Sequence, residues 1–295
     1  MKRVFSLMCV CVVLLMCVTS CATKTVQTPE HRLQWWLADI KWDGERLSYT
    51  GKNVDIAILD TGIDATHPDL AGRVVSETKV SGLGIKEDET KEHGTGIAGV
   101  IVATPHDEKG ALGVAPDANI ISIDVTDDSS GKVVIKNLID GIDLAVSKEV
   151  DIINISVGVK EGTEELHEAI KKAYDNGIII IASAGNYMED EILYPAAYDE
   201  VIAVGSLSKK HEYISPTGTK AAQKVVYLPG ENIVSTSSFG EYKGFSGTSF
   251  SSGILTGMVA VSLEANQDSE RTQKKVYSKM EELYGRIGIS VNDVL

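Results

Sequence analysis

Beyond residue 21 the chain has no cysteine; its four lie at Cys9, Cys11, Cys17 and Cys21. The part that folds therefore has no disulfide framework, and no Cys-ligated zinc site is available to it. The HExxH pattern of a helical zinc site is missing as well. Positive charge is scarce: 28 Lys and Arg face 42 Asp and Glu, for a net charge of −14. Nucleic acid requires a basic patch against its phosphates, and none is present, so no nucleic-acid partner is expected. The acidity fits a solvated surface or a preference for basic peptides. After residue 18 no apolar run reaches the roughly 20 residues of a membrane-spanning helix. From residue 32 onward no Pro/Gly/Ser-rich linker, repeat or low-complexity block divides the chain, which argues for one domain.

What is present begins with the N-terminus. Lys2 and Arg3 precede an apolar run over 4–18, the plan of a secretory signal. The run ends in Val18-Thr19-Ser20-Cys21. This resembles a bacterial lipobox, in which the cysteine receives a diacylglyceryl thioether and becomes the new N-terminus. Two or more acyl chains on Cys21 would hold the protein at a membrane, since one chain binds only marginally. The expected organisation is a lipoprotein signal peptide over 1–20, a tether over 21–31 and a folded domain over 32–295. The expected location is the extracytoplasmic face of a bacterial cell envelope.

Apolar content is 43%, enough for a sizeable core. Short apolar runs at 54–59, 120–125, 152–155, 178–182 and 201–204 read as strands. The run Ile178-Ile179-Ile180-Ile181 is apolar on both faces, as a strand covered from both sides should be. Helical patterns alternate with them at 134–146, at 164–176 ending at Gly177, at 254–263 and at 271–283. Repeated strand-then-helix order predicts an α/β fold in three layers, a mostly parallel sheet with helices on both faces.

Three separated words carry chemistry: DTGID at 60–64, HGTG at 93–96 and GTSFSS at 247–252. Asp60 follows a strand at its carboxyl end, where ligands gather in open parallel sheets. A carboxylate there can orient a histidine ring and stabilise its charged form. His93 precedes a buried small-residue segment, and an imidazole near pKa 6.5 suits a general base. His67, before Pro68-Asp69, reads as a loop residue instead. Ser249 precedes another apolar run; at a helix N-terminus its neighbouring N–H groups favour developing negative charge. A fourth word, Ser183-Ala184-Gly185-Asn186, ends a strand, and the Asn186 amide can point at an oxyanion. Each word alone has an ordinary reading as a turn or a cap. The order Asp, His, Ser, each after an apolar run, is what singles them out.

That order, with His67-Pro68-Asp69-Leu70, Leu112-Gly113-Val114-Ala115-Pro116 and Tyr194-Pro195-Ala196, resembles the subtilisin-like serine peptidases over about residues 35–295. The resemblance implies a serine endopeptidase with Asp60, His93 and Ser249 as triad. It implies an oxyanion hole from Asn186 and the Ser249 N–H. It implies that Ser156, Val157 and Gly158 pair with substrate backbone. Ser183, Ala184 and Gly185 would line the pocket for the residue before the cleaved bond. Family members often bind structural Ca²⁺, and Asp69 and Asp107 fall where ligands would be; oxygen ligands suit that ion. No cofactor is needed for the chemistry itself, and a monomer is expected.

Three departures from the family pattern stand out. Phe250 replaces the usual Met after the nucleophile, and Gly253 the usual Pro four residues on. Only about ten residues separate Cys21 from the domain, too few for the usual folding pro-segment. A short anchored subtilisin resembles maturation peptidases that trim leaders from exported peptides. The alternative is a catalytically impaired subtilisin scaffold acting as a binding or immunity lipoprotein.

Overall fold

Consecutive residues of a strand face opposite ways, so a strand apolar at every position needs cover on both sides. Strand β1 (Asp55–Asp60) shows this directly. Ile56 and Ile58 enter one core, while Ala57 and Leu59 enter the other. The structure is a computed structural model, and it describes residues 34–40, 42, 48–81, 91–107, 109–127, 133–186, 192–215 and 225–265. The expected signal peptide, Cys21, the tether and the helix at 271–283 lie outside the described residues.

The same division runs across the sheet. It contains β2 (Val74–Lys79), β3 (Asn119–Asp124), β4 (Ile152–Ile155), β5 (Ile179–Ser183), β6 (Ile202–Leu207), β7 (Tyr213–Ser215) and β8 (Val225–Pro229). The order is β2-β3-β1-β4-β5-β6-β7, with β8 also paired to β6. Every pairing is parallel except β6 with β7. Register places Leu59 beside Ile155, and Ile155 beside Ala182. The carboxyl ends of β1, β4 and β5 therefore finish level, at one edge of the sheet.

Helices cover both faces. Short α1 (Trp35–Asp39) adds Trp36, fully buried, to the first core. On that face α2 (Glu92–Val102) packs against a helix that starts at Thr248. On the other face lie α3 (Ile135–Ser147) and α4 (Glu164–Asp175), with Leu138, Ile142, Leu166 and Ile170 inward. Helix α4 shows why it stops where it does. The Thr163 hydroxyl accepts from the Leu166 N–H at its start, Glu164 and Glu165 complement the dipole, and Gly177 follows with φ +78°. The last described helix, α5 (Thr248–Ala265), is buried along nearly all its length. No helix among the described residues is long and apolar enough to cross a membrane.

The five strands expected from apolar runs are all present, four with ends within one residue and the fifth, expected at 201–204, running on to Leu207. Five further strands escape that reading, among them β8, which is buried at every position. β2 is an edge strand whose residues alternate between half-buried and exposed. β7 is three residues long, and β9 (Ile233–Thr236) and β10 (Tyr242–Phe245) form a separate antiparallel ribbon.

Candidate active site

Asp60 ends β1 with its carboxylate fully buried. Its Oδ1 accepts from the Thr61 N–H at 2.7 Å. Both oxygens face His93 Nδ1, at 2.8 and 3.0 Å. His93 is the second residue of α2, and close approach brings it there. A Cβ on Gly94 would lie 2.2 Å from the Gly62 carbonyl oxygen, so only glycine lets the helix start against the β1 turn. Thr61 Oγ1 also accepts from the Gly94 N–H at 3.3 Å.

The contact fixes the imidazole's state. A neutral ring bonded to a carboxylate through Nδ1 carries its proton there, leaving the Nε2 lone pair as the basic site. The Asp60 charge raises the His93 pKa above 6.5, against the opposing effect of burial.

Ser249 is the second residue of α5 and nearly buried. Its hydroxyl donates to the Ser156 carbonyl oxygen at 3.1 Å, at the end of β4. No hydrogen bond joins Ser249 to His93 in this arrangement of the described residues. The two nonetheless share a neighbourhood. Phe250, next to Ser249, meets the His93 ring edge to face with centroids 5.5 Å apart, and stacks on Phe245 at 4.6 Å.

Asn186 meets the residue just before Ser249. Its Oδ1 accepts from the Thr248 N–H at 2.9 Å and the Thr248 hydroxyl at 3.0 Å. Those two donors identify the amide oxygen, so Nδ2 is the end left to donate. Ser183 and Ala184 are buried at the end of β5, beside Ser156, Val157 and Gly158 at the end of β4.

Position at a motif could not reveal what holds α5 on the sheet. Asn154 Nδ2 donates to Ser156 Oγ at 2.9 Å, and Thr256 Oγ1 donates to Asn154 Oδ1 at 3.0 Å. Ser156 Oγ lies 3.2 Å from Ser252 Oγ. The one sequence signal was a polar Asn inside Ile152-Ile153-Asn154-Ile155. Buried polar side chains of this kind are tolerated because each finds a partner.

Neither departure at the helix start disturbs it. Helix α5 runs through Gly253 unbroken, and a Cβ there would meet Ile97 and Val100 at ordinary contact distance, 3.5 Å. Phe250 is buried and packed between two rings.

The expectation that Asp69 ligates calcium needs correcting. Asp69 is buried, and its two oxygens are filled by protein donors. Oδ1 accepts from the His106 N–H at 3.0 Å and faces His106 Nδ1 at 2.6 Å. Oδ2 accepts from the Ala111 N–H at 2.7 Å and the Tyr242 hydroxyl at 2.9 Å. Asp107 lies beyond the His106 ring, its Oδ2 3.4 Å from Nε2, and its Oδ1 accepts from the Lys109 N–H at 2.7 Å. A carboxylate occupied by four donors has no lone pairs turned to a cation, so Asp69 does not fit Ca²⁺. No cluster of three or more His, Cys, Asp or Glu suited to a metal occurs among the described residues. His67, buried, is likewise occupied: Nδ1 accepts from the Asp69 N–H, and Nε2 lies 3.0 Å from the Glu241 carbonyl oxygen.

Residues 51–283 match the subtilase family, peptidase S8. The chain belongs to that family. Among curated relatives of this subtilase is the major intracellular serine protease of Bacillus subtilis (strain 168). It is 35% identical over 263 residues, covering 86% of this chain and 77% of that one. The intracellular serine protease of Paenibacillus polymyxa is 36% identical, covering 78% and 73%. Subtilisin E of Bacillus subtilis is 36% identical over 73% of this chain and 56% of its own length. Among solved structures, fervidolysin from Fervidobacterium pennivorans superposes with a TM-score of 0.74 at 28% identity. That match covers 85% of this chain and 42% of fervidolysin, which is described as a keratinolytic enzyme related to subtilisin. This subtilase is a serine-type endopeptidase, and its substrates are peptides or proteins.

Proposed function

We propose that Asp60, His93 and Ser249 hydrolyse peptide bonds through an acyl-enzyme. The observation that carries this is the two-oxygen contact of Asp60 with His93 Nδ1, which leaves Nε2 basic. The Ser249 hydroxyl turns from Ser156 to Nε2 by rotation about its side chain; catalytic hydrogen bonds are often incomplete before substrate binds. His93 takes the proton as Oγ attacks the carbonyl carbon, and Asp60 stabilises the imidazolium. The oxyanion is met by Asn186 Nδ2 and the Ser249 N–H at the head of α5. His93 then returns the proton to the leaving amine, and water attacks the ester by the same route. Exposed Gly158 offers its backbone to substrate in the manner of an added strand. Ser249→Ala is expected to abolish peptide cleavage while the protein stays folded. Undiminished cleavage by that variant would refute the assignment.

Export and anchoring are part of the same proposal. The support is the charged start, the apolar run over 4–18 and Cys21 after small residues. The mass of the mature N-terminus tests it: a diacylglyceryl Cys21 is expected, and an unmodified chain beginning elsewhere would count against it. A tethered endopeptidase of this kind suits trimming of exported peptides. Broad digestion of casein with no sequence preference would argue against that role.

A further inference from the structure

A second carboxylate stands beside Asp60, and it carries its own cation. Parallel register aligns Asp60 with Asp124 at the end of β3, and Asp124 with Lys79 at the end of β2. Partners in register point to the same face, and neighbouring strands lie about 4.8 Å apart. Lys79, Asp124 and Asp60 therefore form one row across three strands. Alternation from Ile56 and Ile58 puts that row on the face that α2 covers. Asp124 also packs against the turn that seats His93. A Cβ placed on Gly62 would lie 3.6 Å from Asp124 Cβ, and the Gly62 carbonyl oxygen is the atom that Gly94 approaches.

The pair is enclosed: the Lys79 and Asp124 side chains are 8% and 11% exposed. Lys79 Nζ donates to Asp124 Oδ2 at 2.7 Å and to Thr126 Oγ1 at 3.0 Å. Asp124 Oδ1 accepts from the Thr126 N–H at 2.9 Å and from its hydroxyl. These bonds favour an ionised Asp124. A buried ion pair is seldom more stabilising than packed apolar side chains, so stability alone does not account for it. Charge does. Without Lys79, Asp124 is a second anion close to the His93 ring. The other charged groups near that ring are already paired or bonded. Lys91 meets Glu77 of β2 at 3.5 Å, Glu92 meets Lys243 of β10 at 2.9 Å, and Asp69 meets His106 at 2.6 Å. Asp64 accepts from Thr66 and from the Phe239 N–H.

We propose that Lys79 is a positioning residue for the triad: it cancels the charge of Asp124, so that Asp60 alone sets the field on His93. The inference rests on the proposed role of His93 as base. A base must be neutral to accept a proton, and each further anion nearby holds its proton to higher pH. Cancelling Asp124 keeps His93 available nearer neutrality. The leading cause of the upward shift at His93 is indeed the Asp60 charge.

The test is the acid limb of kcat/KM on one peptide. In Lys79→Met the limb should move to higher pH by about half a unit, the effect of one charge at about 10 Å in half-buried surroundings. In Asp124→Asn the uncancelled ammonium should move it to lower pH by a similar amount. Lys79→Met combined with Asp124→Asn should return it to the wild-type position. Where a single variant does not fold, Lys79→Glu combined with Asp124→Lys keeps an ion pair and sets its cation beside Asp60; the limb should then lie below that of the wild type. A pair that only holds the strands together would change stability without moving the limb in opposite directions. A limb that stays in place in these variants overturns the inference, and so do shifts of one sign in both single variants. A wild-type protein with no acid limb and no fluorophosphonate label on Ser249 would remove the reading beneath it as well. A normal wild-type limb that the variants leave unmoved removes only the inference about Lys79.

Discussion

The Ser249 hydroxyl donates to the carbonyl oxygen of Ser156 across 3.1 Å. The bond ties the head of α5 to the end of β4, and the proposed mechanism requires it to be exchanged for one to His93. It also makes Ser249 a structural residue. Ser249→Ala should lower stability by about 1 kcal/mol, the usual net contribution of one such bond. Chemical denaturation of the two proteins measures it.

In the proposed mechanism the Asp60–His93 contact sets the acid limb of activity. His93 must be neutral to accept a proton, and the Asp60 charge raises its pKa above 6.5. Activity should therefore fall as pH drops through a value above 6.5. In Asp60→Asn the limb should move to lower pH, with kcat lower by about 10⁴-fold. The pH profile of kcat/KM for both proteins decides it.

Stability runs the other way with pH. A folded pKa above the unfolded one means that the folded protein holds the His93 proton more tightly. The contribution is fully present below about pH 6.5, the unfolded value, and is lost as pH rises through the folded value. His106 is shifted in the same direction, chiefly by its hydrogen bond to Asp69, so the wild-type curve alone mixes the two. The difference in stability between wild type and His93→Ala, followed across pH, isolates His93. It should shrink with rising pH.

Phe250 fills the space between Phe245 and the His93 ring. Phe250→Ala leaves a cavity there and should cost about 3–5 kcal/mol. Phe250→Met conserves most of the volume and should cost less than about 1.5 kcal/mol. Thermal unfolding of the two variants separates a packing role from a neutral one.

Tyr242 donates to buried Asp69 Oδ2 at 2.9 Å. Tyr242→Phe withdraws one of the four donors on a buried carboxylate and should cost about 1.5–3 kcal/mol. Added Ca²⁺ should not restore the loss, because the three remaining donors still occupy the group. Unfolding curves with and without calcium check both statements.

The sequence made legible what depends on local pattern. β1, β4 and β5 announce themselves because each is built on a short, mostly apolar run, and Asp60, Ser183 and Asn186 follow from where the runs of β1 and β5 stop. β2 did not, because an edge strand such as Val74–Lys79 mixes exposed and half-buried residues. Asn154, Thr256 and Ser252 did not, because their bonds join segments about one hundred residues apart. Asp69 was misread for the same reason. Its sequence position suggests a cation ligand, and only the fold shows His106 and Tyr242 meeting it from two other segments. Lys79 and Asp124 lie in no motif of catalytic residues; their relation to Asp60 exists only once β2, β3 and β1 are paired.

The account depends on Ser249 being the hydroxyl that His93 activates. Mass-spectrometric mapping of a fluorophosphonate adduct tests this most directly. The prediction is a single adduct on Ser249 in the wild-type protein and its near-complete loss in His93→Ala. An adduct on another residue, or equal labelling of Ser249 without His93, would contradict it.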